Sequence, residues 1–237
     1  MAAVLHIVAT PIGNLGDMTP RAIEVLRSAQ AVYCEDTRVS RRLFNHFEID
    51  NQLRRFDDKT GERKIPEILQ LLEGGSDVAL ISDAGTPVIS DPGMPLVAAV
   101  LDAGFDVVSV PGACSAVAAL SISGLPAHAY YFGGFLPRKT GKRESLLASL
   151  DALNATLIFY ESPYRVTKVL QHLAELYPER QAAVARELTK RHEELVRGSL
   201  AELSEEFTQR KEAADAGKAA TIKGEFVILI AAHKKAS

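Results

Sequence analysis

The sequence predicts a mixed α/β protein, and three observations support this prediction. Short apolar runs without polar alternation, such as residues 78–81, recur along the chain. Segments with helical spacing of apolar residues separate these runs, and Gly- and Pro-rich loops follow several of them. Because a fully apolar strand is buried on both faces of its sheet, we expect helices on both sides of a mostly parallel sheet.

The elements of the first half alternate regularly between strand and helix. A helix is expected directly after Thr19, because Thr is a good N-cap residue and Pro20 then stands at the first helical position. The expected strands are residues 5–10, 31–34, 53–56, 78–81 and 107–110. The other expected helices are residues 40–47, 65–72, 94–101 and 113–123.

The second half begins again with strands, which indicates a second α/β domain. The helix-stopping segment at residues 124–126 (GLP) places the boundary between an N-terminal domain, residues 1–126, and a C-terminal domain, residues 127–237. The expected strands are residues 130–132, 157–160, 182–185, 194–196 and 226–231. The expected helices are residues 143–153, 164–177 and 200–211.

Composition and charge exclude several classes of protein. Hydrophobic residues make up 47% and charged residues 24% of the chain, which is typical of a globular protein and not of a disordered one. The first domain has 10 basic and 16 acidic side chains, and the second has 17 and 14, so their net charges are -6 and +3. A charge of +3 does not by itself distinguish a nucleic-acid surface from an ordinary solvated one.

The chain shows no feature of an exported or membrane protein. Two cysteines are too few for a disulfide framework, and the N-terminus lacks the basic segment of a signal peptide, so a reducing, cytoplasmic location is expected. Residues 107–137 contain no Asp, Glu, Lys or Arg, but Gly and Pro interrupt them repeatedly. We therefore expect buried core there and no membrane span.

Four loops that directly follow apolar strands are the expected ligand-binding segments. Ligands of open α/β sheets bind at the carboxyl ends of the strands, where loops present backbone N–H groups. The loops are residues 10–17 (TPIGNLGD), 82–93 (SDAGTPVISDPG), 111–116 (PGACSA) and 161–165 (ESPYR). A plain structural turn is the alternative for residues 82–93, but twelve residues are long for such a turn.

Several familiar sites are missing from the sequence. The chain has no G-x-G-x-x-G, no P-loop and no G-x-S-x-G, which argues against nicotinamide, Walker-type and hydrolase chemistry. Its six histidines lack ligand spacing, so no metal site is expected. Cys114 begins a helix and could be a nucleophile, but without an adjacent base it is better explained as a small residue that lets a ligand approach.

Two polar segments of the second domain are further candidates. Residues 136–143 (LPRKTGKR) suit phosphate contacts, although a solvated helix start is the alternative; the cations are Arg138, Lys139, Lys142 and Arg143. Residues 185–192 (ARELTKRH) end a strand with Arg186, Glu187, Lys190 and His192. From spacing alone, pairing of Arg186 with Glu187 and contact with a substrate are equally favoured.

Taken together and in order, these motifs resemble one family. TPIGNLGD, CEDTR, SDAGTPVISDPG, PGACSA, GGFLPRK, FYESPYR, ARELTK and KGEF are similar to the small-subunit ribosomal RNA methyltransferases I of the tetrapyrrole methylase superfamily. The resemblance runs from about residue 5 to residue 231. It implies two α/β domains with S-adenosylmethionine in the cleft between them, a homodimer, and 2'-O-methylation of a cytidine ribose in the decoding region of 16S rRNA.

The resemblance also implies roles for particular residues. By motif match, the cofactor pocket involves Ile12, Asp83, Gly85, Thr86, Cys114 and Ser115, with Tyr160, Glu161 and Gly224 from the second domain. Removal of the ribose hydroxyl proton requires a base, and polarity and loop position favour Glu187, His192 or Asp36. Lys190 and Arg38 are expected to hold phosphate or polarise the hydroxyl, and Arg186 to contact the substrate.

Two other functions remain open at this stage. A methyltransferase of the same superfamily could act on a tetrapyrrole or a diphthamide precursor, although the basic segment at residues 136–143 favours RNA, the 16S rRNA or the small ribosomal subunit. A non-enzymatic RNA-binding assembly factor would need the basic segment but no cofactor pocket.

Overall fold

The computed structural model of the chain describes residues 3–218 and 222–232. These residues form two compact units, which divide between Cys114 and Ser115. Each unit contains one five-stranded sheet.

The sheet of the first unit has the strand order β3-β2-β4-β1-β5, and all of its recorded pairings are parallel. Its strands are β1 (Val4–Val8), β2 (Ala31–Cys34), β3 (Leu53–Arg55), β4 (Val78–Leu80) and β5 (Asp106–Val110). Its helices are α1 (Pro20–Ser28), α2 (Thr37–His46), α3 (Gly61–Glu73) and α4 (Met94–Asp102). The parallel sheet predicted from uninterrupted apolar runs is therefore confirmed.

Alternate residues of the strands in this sheet enter two separate cores. Leu5, Tyr33 and Leu80 pack on one face with side chains of α3 and α4. Val32 and Ala79 pack on the other face with side chains of α1 and α2. Burial on both faces explains why these strands lack polar alternation.

The predicted start of α1 is confirmed in detail. The Thr19 hydroxyl accepts a hydrogen bond from the Ala22 N–H at 3.2 Å, and Pro20 is the first helical residue. Thr19 thereby satisfies one N–H group that has no partner within the helix.

The sheet of the second unit has the order β6-β7-β10-β8-β9, in which only β6 and β7 are recorded as a parallel pair. Its strands are β6 (Tyr130–Phe135), β7 (Thr156–Glu161), β8 (Gln181–Arg186), β9 (Glu194–Ser199) and β10 (Phe226–Ile230). Its helices are α5 (Ser115–Ser123), α6 (Thr140–Leu150), α7 (Val166–Leu176) and α8 (Leu200–Asp215).

The division into units differs from the predicted boundary at residue 126. The helix α5 belongs to the second unit, where it contacts β7, β8 and β10 and buries Ala116, Ala119 and Leu120. The segment at residues 124–126 ends this helix without separating two cores. A helix stop and a domain boundary have the same Gly and Pro composition, so the sequence alone did not distinguish them.

The prediction that residues 107–137 form buried core is wrong for much of the segment. Val108, Val117, Ile122, Tyr130 and Phe135 are all exposed. The segment consists of short elements with one exposed face each, and its lack of charge therefore marks an apolar surface.

Candidate functional site

The carboxyl ends of the parallel strands bring the predicted loops of the first unit to one edge of its sheet. The loop of residues 10–17 follows β1, residues 82–93 follow β4, and residues 111–114 follow β5. Because β4, β1 and β5 are consecutive neighbours, these three loops leave the sheet side by side.

Backbone hydrogen bonds connect the first two of these loops. The Thr10 N–H donates to the Gly85 carbonyl at 2.9 Å, and the Gly85 N–H donates to the Thr10 carbonyl at 3.1 Å. The Thr86 hydroxyl donates to the Ala113 carbonyl at 3.0 Å, which adds the third loop. The predicted residues Thr86 and Gly85 thus lie where all three loops meet.

The backbone of residues 82–93 is unusual for a loop. Gly85 has φ +85°, and a Cβ there would lie 3.3 Å from Cγ2 of the buried Ile12. Val88 and Ser90 have φ of 74° and 66°, although left-handed backbone is disfavoured for a β-branched residue. Such conformations persist where the surroundings hold them, and they cluster at ligand sites. This geometry favours the ligand-binding interpretation over a plain turn.

Asp83 leaves β4 and connects to the loop after β2. One oxygen of its carboxylate, Oδ1, accepts a hydrogen bond from the Asp36 N–H at 3.0 Å. Burial raises the pKa of Asp83, and the nearby charge of Asp36 raises it further, against the effect of that hydrogen bond.

Asp36 itself is engaged in a local structure. It is the N-cap of α2, where its side chain accepts from the Arg38 N–H at 2.8 Å, and it forms an ion pair with the Arg38 guanidinium at 2.6 Å. The hydrogen bonds from Arg38 hold the pKa of Asp36 far below its usual range. The carboxylate is therefore a weak base, and Arg38, 87% exposed in its side chain, is accessible to a ligand.

Two carboxyl groups that the sequence did not single out lie close to Asp83. Burial raises the pKa of Glu35, and the charges of Asp83 and Asp91 add to the effect. Burial also raises the pKa of Asp91, and a side-chain hydrogen bond with Ser82 opposes this shift. Glu35 stands beside Asp36 in CEDTR, and Asp91 stands in SDPG, so both were within recognised motifs. Glu35 approaches Asp83 because β2 and β4 are neighbouring strands, which the motifs do not encode, whereas Asp91 belongs to the same loop as Asp83.

A cleft of about 220 Å³ lies beside the loop of residues 10–17. Its lining includes Thr10, Leu15, Ser40, Leu43 and Asp83. It therefore joins two of the predicted loops to the side of α2.

Cys114 is the last residue before α5, and its thiol is partly buried. In the part of the chain that the structure describes, no hydrogen bond to this thiol is recorded. This placement gives no support to a nucleophilic role, which would need an adjacent base.

In the second unit, Ser115 and Tyr160 meet through their side chains. The Ser115 hydroxyl donates to the Tyr160 hydroxyl at 2.8 Å. The Tyr160 ring packs edge-on against Phe132 and Phe135, with ring centroids 4.9 and 5.8 Å away. The predicted residues Ser115 and Tyr160 are therefore brought together at an aromatic cluster.

Glu161 is the last residue of β7, and its side chain is completely buried. Its Oε1 accepts from the Ser162 N–H at 2.7 Å, while Oε2 lies 3.2 Å from Nη2 of Arg165 without a hydrogen bond of good geometry. Burial raises the pKa of Glu161, and the Ser162 N–H and the Arg165 charge oppose this shift. The carboxylate thus fixes the turn that carries ESPYR.

The four cations of residues 136–143 do not share one environment. Arg138, Lys139 and Lys142 are exposed, whereas Arg143 is 8% exposed in α6. Its Nε donates to His172 Nδ1 at 2.8 Å, and burial and the neighbouring Arg165 lower its pKa. The prediction that Arg143 contacts a phosphate conflicts with this position, because α6 begins at Thr140 and directs Arg143 inward.

The cluster after β8 is a network of ion pairs. Lys190 Nζ lies 2.9 Å from Glu187 Oε1 and 2.9 Å from Glu225 Oε2. Burial would raise the pKa of Glu187, but hydrogen bonds from Lys190 and from the Glu225 N–H lower it below its usual value. Glu187 has φ 50°, and a Cβ on Gly224 would lie 2.5 Å from Glu187 Cγ, so only glycine fits there.

Arg186 and His192 differ in their hydrogen bonds and ion pairs. Arg186 Nε donates to the Lys223 carbonyl at 2.7 Å, and its guanidinium lies 3.5 Å from Glu194. Arg186 therefore pairs with partners other than Glu187, its neighbour in sequence. His192 is exposed, and no hydrogen bond joins it to any residue in the ranges 3–218 and 222–232.

Two larger depressions of the second unit lie away from these loops. They have volumes of about 590 and 500 Å³ and share Gln181 and Ala231. Gln181 begins β8 and Ala231 follows β10, so both depressions are at the sheet edge opposite Glu161. Size alone does not make them the functional site.

Within the described ranges, no three His, Cys, Asp or Glu side chains are grouped as a metal site requires. In those same ranges, no helix has the length and apolar character needed to cross a bilayer.

Comparison with known proteins identifies the family. Residues 4–204 match the tetrapyrrole (corrin/porphyrin) methylases. The chain belongs to this family. Within the tetrapyrrole methylases, the motif resemblance is confirmed by relatives that are named ribosomal RNA small subunit methyltransferase I.

Three such relatives show how far the similarity extends. The protein of Micromonospora olivasterospora is 44% identical over 99% of this chain and 72% of its own length. That of Mesorhizobium japonicum is 47% identical over 95% of this chain and 74% of its own. That of Thermotoga maritima is 42% identical over 87% and 93%, respectively.

Three solved structures share the fold of this chain. Diphthine synthase has a TM-score of 0.72 at 13% identity, covering 97% of this chain and 90% of that one. The methyltransferase CobJ has 0.69 at 19%, covering 100% and 98%. Uroporphyrin-III C-methyltransferase from Thermus thermophilus, complexed with S-adenyl homocysteine, has 0.59 at 21%, covering 96% of each. At these identities the similarity shows the fold alone.

Proposed function

We propose that this chain transfers a methyl group from S-adenosylmethionine to the ribose 2'-hydroxyl of a cytidine in the decoding region of 16S rRNA. The observation that supports this most is the sequence identity of 42–47% to proteins named ribosomal RNA small subunit methyltransferase I over most of the chain. This identity supports methylation of small-subunit rRNA, and the choice of a cytidine and of its 2'-oxygen is our own proposal.

The loops of the first unit suit the cofactor. Gly85, packed against Ile12 in a left-handed conformation, lets a ligand approach the backbone, and Asp83 supplies a carboxylate for hydroxyl or ammonium groups. We assign Ile12, Asp83, Gly85, Thr86 and Cys114 to cofactor binding. For the second unit, we propose the same role for Ser115, Tyr160, Glu161 and Gly224.

When bound, S-adenosylmethionine supplies an electrophilic methyl group on a sulfonium sulfur. The protein must then align the ribose oxygen in line with that methyl and accept the hydroxyl proton. Among the proposed bases, Asp36 and Glu187 are held as ion pairs with lowered pKa, which makes them weak acceptors. His192 is accessible, so we propose it as the base.

The basic segment supplies the RNA contacts in this proposal. Arg138, Lys139 and Lys142 are exposed at one edge of the second sheet, and no ion pair joins them to any residue that the structure describes. Such a cluster of cations suits phosphates. Arg38 in the first unit is a further accessible cation. Arg186 and Lys190, engaged with carboxylates, would reach a substrate only by exchanging partners.

We further propose that the protein is a cytoplasmic homodimer. Its rRNA substrate belongs to that compartment. Val117 and Ile122 on α5, and Met94 and Leu101 on α4, are exposed apolar side chains that a second copy would cover.

A transfer assay tests the activity. Labelled S-adenosylmethionine is incubated with the protein and either small ribosomal subunits lacking the modification or a precorrin. Label in the 16S rRNA supports the proposal, whereas label in the precorrin alone contradicts it. Calorimetry with S-adenosylmethionine addresses the non-enzymatic alternative, since an assembly factor without a cofactor pocket would show no binding.

A further inference from the structure

Tyr164 is exposed to an unusual degree for an aromatic residue. The residue is 92% exposed, the largest value among the exposed large hydrophobic residues of the described ranges. It lies in the turn between β7 and α7. Single exposed aromatics are common on protein surfaces, so the surroundings of Tyr164 decide whether it has a role.

The backbone on either side of Tyr164 is firmly held. The N–H groups of Arg165 and Val166 both donate to the Ser162 carbonyl at 3.0 Å. The guanidinium of Arg165 also pairs with the buried Glu161 at 3.2 Å. Two hydrogen bonds and an ion pair therefore hold this turn, which leaves Tyr164 exposed to solvent.

The same turn is attached to the basic segment. Strands β6 and β7 are parallel neighbours, so the loops after them leave the same sheet edge. Arg165 Nη2 donates to the Leu136 carbonyl at 2.8 Å, which joins the two loops directly. Arg138 and Lys139 follow Leu136, and Lys142 lies in the first turn of α6, all exposed.

An exposed aromatic ring on a hydrogen-bonded turn, joined to a loop with several cations, is a combination that suits unpaired RNA. Cations contact the phosphates of any nucleic acid, whereas an aromatic ring can stack only on a base that is free of a duplex. We propose that Tyr164 stacks on an unpaired base of the RNA substrate while Arg138, Lys139 and Lys142 contact its phosphates. This inference rests on the proposed function and specifies a single-stranded substrate segment.

Binding measurements with three variants test the stacking. Tyr164→Ala should weaken binding of a short single-stranded oligoribonucleotide about 5- to 100-fold at fixed salt, the range found when stacking residues are removed. Tyr164→Phe keeps the ring and should bind like the wild type. Leu153→Ala removes an exposed apolar side chain that precedes β7 at the opposite sheet edge, and it should change nothing.

The salt dependence and a duplex control separate stacking from charge. Tyr164→Ala should leave the slope of affinity against salt unchanged, while Lys142→Ala should reduce it. Binding of the same sequence as a duplex should not respond to Tyr164→Ala. Wild-type affinity of Tyr164→Ala for the single strand, or equal weakening for duplex and single strand, would overturn the proposal.

A parallel assay distinguishes failure of the stacking proposal from failure of the proposed function. Methylation of small ribosomal subunits by the wild-type protein is measured in the same preparations. If the wild type methylates them and Tyr164→Ala binds RNA normally, only the stacking is wrong. If the wild type methylates no rRNA, the proposed function fails first. Thermal unfolding of each variant confirms that the fold is intact.

Discussion

Asp36 and Asp83 follow neighbouring strands of the first sheet, yet the pKa values of their carboxyl groups shift in opposite directions. Hydrogen bonds from Arg38 lower that of Asp36, and burial raises that of Asp83. Two chemically identical groups therefore have different pKa values, because Asp36 has a cationic hydrogen-bond partner and Asp83 is partly buried. The low pKa of Asp36 argues against it as the base, because a carboxylate of very low pKa is a poor proton acceptor.

The variant Asp36→Asn tests this conclusion at a single residue. Asn caps helices as well as Asp does, so the start of α2 should be preserved. Single-turnover methylation at saturating cofactor should proceed at close to the wild-type rate. His192→Ala serves as the comparison and should slow the reaction by about 100-fold or more if His192 is the base. A similarly large loss in Asp36→Asn would contradict the conclusion that Asp36 is not the base.

At this scale the sequence predicted part of the candidate site. The motifs indicated Gly85 and Thr86, and the structure places both where three loops meet. Neither the proximity of Glu35 to Asp83 nor the inward direction of Arg143 could be predicted. Both depend on which strands are neighbours and which face of a helix is buried, and local composition contains neither.

Among the elements, α6 changes the interpretation of the basic segment. The sequence placed Arg143 in a loop with three other cations, but the helix begins at Thr140 and buries it. Arg143 Nε donates to His172 Nδ1, and His172 Nε2 lies 2.9 Å from Glu144 Oε1. This chain of polar contacts joins α6 to α7.

The variants Arg143→Ala and Lys142→Ala distinguish the two kinds of cation. Arg143→Ala should lower the free energy of unfolding by about 1 to 3 kcal/mol, because it leaves the buried His172 nitrogen without its donor. The salt slope of RNA binding should stay the same. Lys142→Ala should leave the stability unchanged and reduce the slope. Denaturant titration and salt-dependent binding measure both quantities, and the reverse pattern would contradict the structure.

The elements themselves were largely predictable because local rules determine them. Thr19 and Pro20 fix the start of α1, and the apolar runs fix the strands. The start of α6 was not found, because its N-cap Lys139 makes no side-chain capping hydrogen bond that would have marked it in sequence. The prediction of burial for residues 107–137 was wrong for many side chains. An uncharged segment is buried on average, but its composition does not say which face of each helix or strand is exposed.

For the whole molecule, the two sheets show the limits of topology from sequence. The first sheet is parallel as predicted, whereas the second is mainly antiparallel. Strand β10 inserts between β7 and β8, which precede it along the chain. Pairing between segments so distant in sequence is decided by the packing of the complete unit.

The partly buried carboxyl groups of the first unit predict that its stability depends on pH. Burial raises the pKa of Asp91 above the ordinary 3.8, so the folded state binds its proton more tightly than the unfolded state. Stability from this group is therefore greatest below pH 3.8 and falls as the pH rises through the folded pKa. Glu35 and Asp83 shift in the same direction.

The variant Asp91→Asn removes the ionisable group and with it this contribution to the pH dependence of stability. The melting temperature of the variant should exceed that of the wild type at neutral pH, because no buried charge has to form. The difference should shrink as the pH falls toward 3.8, where the wild-type carboxyl is protonated. Thermal unfolding across a pH series measures it. A melting temperature below that of the wild type at neutral pH would show that the ionised carboxylate is stabilising.

The proposed activity of this chain is methylation of a cytidine 2'-oxygen in small-subunit rRNA. The most direct test is mass spectrometry of nucleosides from the decoding region of 16S rRNA, after unmodified small subunits react with the protein and S-adenosylmethionine. We predict that 2'-O-methylcytidine appears there and only when the cofactor is present. A methyl group on a base, or no methylation of rRNA while a precorrin becomes methylated, would contradict the account.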